Sequence, residues 1–153
     1  MPLSTYGISI QILASIRAQR DHATGCTTND CKVVVNHLIR KFSEPLGHPV
    51  RMSVKVAAGN GGNTIKDHAV PVIVLLDQLL DMPDEHLAIS PENIQRVESF
   101  LRKSLLIVEV TRDEDLLLSK QGYQRAMPIC WKTVGHEWNG DPLARYKECG
   151  IEV

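Results

Sequence analysis

The chain has 153 residues, 43% hydrophobic and 23% charged, which is long enough to bury one core without disulfide or metal staples. A net charge of −1 argues against a dedicated polyanion-binding protein, and four cysteines at irregular spacing exclude the framework of a small secreted scaffold. The longest apolar run, Val70 to Leu76, is broken by Pro71 and is well short of the ~20 residues that span a bilayer. With no basic segment, apolar core and small-residue cleavage site at its start, the sequence sets the expectation of a soluble, cytoplasmic protein with no membrane partner.

In chain order, Ile8, Ile12, Leu13 and Ile16 recur at helical spacing between Tyr6 and Arg20, with Ser4 or Thr5 placed to cap the start. A polar turn follows. Thr27 and Asp30 then form a capping-box pattern, and Val34, Val35, Leu38, Ile39 and Phe42 predict a second helix that the Glu44-Pro45-Leu46-Gly47 turn ends. From Val50 to Val56 the period changes to two, which predicts a half-buried strand. After Pro71 the segment VIVLLDQLLDM predicts a helix that is apolar almost all round and central to the fold.

Ser90-Pro91-Glu92 opens the next helix, with Ile94, Val97 and Leu101 as its buried stripe. The branched run at residues 105–110 predicts a second strand, and Thr111 with Glu114 a capping box for a short helix that Gly122 closes. From Tyr123 onward no period is sustained, which predicts an irregular tail with a helical turn at residues 142–147, pinned by Trp131 and Trp138. The expected architecture is α+β in a single domain, residues 1–153. A helical pair occupies 1–47, a mixed core with a few-stranded sheet and central helices 48–122, and the irregular segment 123–153.

Three groups of residues bear on function. The turn Gly59, Asn60, Gly61, Gly62, Asn63 and Thr64, read as lying between a strand and a helix start, offers backbone N–H groups to an anion or phosphate. It matches neither GxGxxG nor the P-loop, and a plain connector is the simpler reading. His22, Cys26, Cys31 and His37 are permitted zinc ligands, but their spacing departs from a zinc knuckle. The basic pairs Arg40 with Lys41, Arg102 with Lys103 and Arg145 with Lys147 read as solvated faces, offset by Asp113-Glu114-Asp115.

Asp67-His68, immediately before an apolar residue, a valine and Pro71, resembles the start of the HNH, or ββα-metal, nuclease motif. The resemblance implies His68 as general base, Asp67 with His68 at a divalent metal, and Asn93 as the residue that orients the histidine. It covers only this stretch and one asparagine, without the compact hairpin and flanking CxxC pairs of that family. Two functions follow as expectations. One is a regulatory protein that binds a macromolecular partner, a protein first and nucleic acid second, through its loops and an interface at Trp131 and Trp138. The other is a small metal-dependent nuclease acting on phosphodiesters.

Overall fold

A computed structural model of the chain describes residues 3–43, 51–59 and 62–153. The fold is α+β, with seven helices and a three-stranded sheet among the described residues. The chain groups into two compact units, each discontinuous in sequence: Met1–His48 with Leu75–Arg102, and Pro49–Val74 with Lys103–Val153. No helix of the described residues is long and apolar enough to cross a membrane.

The first unit is helical. The expected N-terminal pair is present as α1 (Thr5–Arg20) and α2 (Thr28–Ser43). Ser4 caps α1 by accepting from Gly7 N, and Ile8, Ile12, Leu13 and Ile16 are buried along its inner face. The Thr27–Asp30 capping box opens α2, and Cys31, Val35, Leu38, Ile39 and Phe42 line its buried side. Val34 does not belong to that side; it lies a quarter-turn away from Val35 and is exposed. The turn expected at residues 44–47 lies outside the described residues.

Helix α4 (Val72–Leu80) begins in the second unit and continues into the first, and its Val72, Leu75, Leu76 and Leu79 are buried. Helix α5 (Pro91–Ser104) opens at the expected Ser-Pro-Glu signal and buries Ile94, Val97 and Leu101.

The second unit carries the sheet, in the order β1 (Arg51–Met52), β3 (Ile107–Thr111), β2 (Thr64–His68). Strand β3 pairs parallel with β1 and antiparallel with β2, with Asp67 opposite Val108. The strand expected from Val50 to Val56 is corrected here: β1 is two residues long, and the chain turns at once into the single-turn helix α3 (Val54–Ala57). The cause is Ser53, whose hydroxyl accepts from Val56 N at 3.2 Å and caps that turn. Of the described residues in the alternating apolar row none is buried; Met52 is 43% exposed and Val54 53%.

Helix α6 (Arg112–Lys120) starts at the expected Thr111–Glu114 capping box. The last segment contains one more short helix, α7 (Ala144–Glu148). Ala69, Val108, Val110, Leu118, Tyr146 and Ile151 form this unit's core.

Candidate functional site

The residues singled out at Asp67-His68 lie at the end of β2, where alternation along the strand puts Ile65 and Asp67 on one face. Ile65 packs against the core cluster, so Asp67 faces the same way, toward Tyr146. Helix α7 supplies both of the groups that meet it. Arg145 is 1% exposed, and each of its three guanidinium nitrogens donates. Its Nε donates to Ala69 O at 2.9 Å, Nη1 to Tyr123 O at 2.5 Å, and Nη2 to both Asp67 Oδ2, at 2.5 Å, and His68 O.

The Tyr146 hydroxyl donates to the same Oδ2 at 2.6 Å. Burial, and then the neighbouring Asp67 charge and hydrogen bond, push the Tyr146 phenol far above its ordinary value. The phenol is therefore a permanent donor.

Chemically, this arrangement is an anchor. A planar fork whose N–H groups are spent on three carbonyls and one carboxylate ties the end of β2, the segment at Tyr123 and α7 into one block. Reading Arg145 with Lys147 as a solvated basic pair is thus corrected, because the two side chains diverge and only Lys147 is exposed. The sequence marks Arg145 only as half of a basic pair and does not mark Tyr146 at all. The available signal is an Arg-Tyr pair in the helical turn expected at residues 142–147 of an otherwise aperiodic tail.

The other nominated residues are placed as follows. Asn93 belongs to the first unit, where its Nδ2 donates to Glu85 O at 3.2 Å and Ala88 O at 2.9 Å and so holds the approach to α5. The Gly59–Thr64 turn leads from α3 into β2, and the helix N-terminus on which its anion-binding reading rested is a strand instead. Gly59 and Gly62 hold positive φ there, while Asn60 and Gly61 lie outside the described residues. Cys31 is buried and His37 exposed on α2. Among the described residues no three His, Cys, Asp or Glu side chains converge as metal ligands.

Glu114, expected in the capping box of α6 and within the acidic run 113–115, is 4% exposed. Its Oε1 accepts from Ser53 Oγ at 2.6 Å and from Thr111 N at 2.9 Å.

The two tryptophans separate. Trp131 is 8% exposed, so its side chain is buried, and its carbonyl accepts from Gly140 N and Asn139 Nδ2. Trp138 is only partly covered, beside the His136 ring. With Val54, Leu143, Lys147 and Val153 it lines a cavity of about 550 Å³. A second cavity of about 560 Å³ is lined by Lys55, Asp113, Glu114 and Leu117. Val54 and residues 150–152 border both, and Val54 N donates to Glu152 O at 2.9 Å, which holds the last residues between them.

Comparison with protein-family models, curated proteins and solved structures finds no match for the chain. The fold and the side-chain arrangement therefore carry the functional argument alone.

Proposed function

We propose that this chain is an interaction module that binds a protein partner through its C-terminal segment, with Trp138 as the principal anchor. The observation that carries this is the open, mainly apolar cavity formed by Trp138, Leu143, Val54 and Val153, edged by Lys147. A large amphipathic ring on a concave surface with a charged rim is the usual anatomy of a binding hot spot. Arg145 and Tyr146 support the reading from below, because they fix the segment that presents the ring.

Metal-dependent hydrolysis at His68 draws no support from this arrangement. Asp67, its metal ligand in that reading, already accepts from Arg145 and Tyr146.

The test is affinity capture from host lysate, identification of the retained protein, and titration of that purified protein against the wild type and Trp138→Ala. A hot-spot residue costs about 2 kcal/mol or more on truncation, roughly a thirtyfold loss of affinity. Equal binding by Trp138→Ala, or no retained protein at all, contradicts the reading.

A further inference from the structure

The connection from α1 to α2 and the first turn of α2 carry one free thiol each, Cys26 and Cys31, and neither takes part in the surface just described. Cys26 directly precedes Thr27, the residue that caps α2. Asp30 N donates to Thr27 Oγ1 and Thr27 N donates to Asp30 Oδ2, each at 3.0 Å, so the capping box is closed in both directions. At such a helix start the residue before the cap often packs against the fourth helical residue, the pairing known as a hydrophobic staple. In this chain those two positions are Cys26 and Cys31.

Two further contacts place the Cys26 thiol at the first turn of α2, the turn that carries Cys31. Cys31 N donates to Thr27 O at 3.1 Å, and Cys26 Sγ donates to that same carbonyl at 3.8 Å. Burial pushes the Cys31 thiol up, and the charge of Cys26 adds to that effect while Arg20 opposes it. Exposure distinguishes the pair: Cys26 is partly open to solvent and Cys31 is 1% exposed.

We propose that Cys26 and Cys31 are a dithiol modification site, which low-molecular-weight disulfides of the glutathione class convert into an intramolecular disulfide. The accessible Cys26, as its thiolate, attacks one sulfur of the reagent. A Cys26–reagent disulfide forms, and the departing thiolate takes up the proton that Cys26 gave up. Cys31 then attacks the Cys26 sulfur, the mixed disulfide breaks, and the second reagent thiolate leaves with the Cys31 proton. Two protein thiols are oxidised and one reagent disulfide is reduced to two thiols. The new bond closes across the first turn of α2 and fixes that helix to the connection from α1.

Trypsin separates this outcome from all others, because cleavage after Arg20 and Lys32 places both cysteines in one peptide, while Cys130 and Cys149 fall in two others. The folded, full-length protein is treated with oxidised glutathione, alkylated, unfolded and digested. The expected product is the 21–32 peptide two hydrogens lighter and without an alkyl group. In Cys31→Ser the same peptide is expected to retain glutathione on Cys26, because the resolving thiol is gone.

Oxidation of the unfolded chain in guanidinium is expected to give the linked peptide in about tenfold lower yield, since the capping box no longer aligns the pair. Glutathione retained on Cys26 of the folded wild type, a link to Cys130 or Cys149, or an unmodified 21–32 peptide overturns the proposal. If Cys31→Ser does not fold, the wild-type digest decides by itself.

Discussion

Asp67 and Arg145, separated by 78 positions in the chain, meet at 2.5 Å with the arginine almost wholly removed from solvent. The carboxylate that looks most like a reactive group in the sequence is therefore held by a cation from the far end of the chain. The same oxygen accepts from Tyr146, so one carboxylate fixes two successive residues of α7.

Tyr146 sets an alkaline limit on the second unit. Its phenol is pushed up in the folded protein, whereas the unfolded chain releases that proton near the ordinary tyrosine value of about 10. The stabilising contribution is complete below that value and is lost as pH rises toward the folded one, by up to about 1.4 kcal/mol per pH unit. Urea unfolding from pH 8 to 11 is expected to show this decline, and Tyr146→Phe to flatten it. At neutral pH Tyr146→Phe is expected to lose about 1.5–3 kcal/mol, because its hydrogen bond goes to a charged acceptor.

Asp141 acts at the acid end. Burial pushes its carboxyl up, but the hydrogen bond from Lys147, the Leu143 N–H and the charges of Lys147 and Lys103 outweigh burial and hold it below its usual value. The unfolded chain then takes up a proton first, so this contribution is present above the ordinary carboxylate value and disappears as pH falls through the folded one. Lys147 is partly exposed, and solvent screening limits the pair to about 0.5 kcal/mol. Asp141→Asn is expected to reduce the stability lost between pH 5 and pH 2 in matched urea titrations, with little change at pH 7.

Glu114 joins the start of α3 to the start of α6. Glu114→Ala removes the acceptor of Ser53 Oγ and Thr111 N together, and a cost of about 2–3 kcal/mol is expected. Ser53→Ala removes one of those bonds, also to a charged acceptor, and the cap of α3, and a cost of about 1.5–2 kcal/mol is expected. Denaturant midpoints of the two variants check the order. A Ser53→Ala loss as large as that of Glu114→Ala contradicts the shared-acceptor account.

What was legible in the sequence was local. The caps at Ser4, Thr27 and Thr111 and the 3.6-residue stripes of α1 and α5 are settled within a few residues, and the structure keeps them. The period-two pattern at residues 50–56 failed because the Ser53 hydroxyl offers the backbone a helical turn in place of a ladder. Strand β2 left little trace, since TIKDH has one apolar residue and its register comes from β3, about 40 positions away.

The candidate site was half legible. Asp67 stands out by its neighbour His68, but its true partners, Arg145 and Tyr146, are nonlocal and sit in a tail with no period to place them. Trp138 was legible as a surface aromatic. Trp131 was not distinguishable from it by residue type, and only packing separates the two.

The most direct test of the anchor is a double-mutant cycle on the unfolding free energy, using Asp67→Asn, Arg145→Met and the pair together. Asp67→Asn leaves the buried Arg145 charge without its anion, Arg145→Met leaves the partly buried Asp67 carboxylate with Tyr146 alone, and a loss of about 3 kcal/mol is expected for Arg145→Met. The double variant is expected to fall short of the summed losses by about 2 kcal/mol, near the upper end of coupling between residues in contact. Additive losses would mean that Asp67 and Arg145 do not hold one another, and would contradict the account.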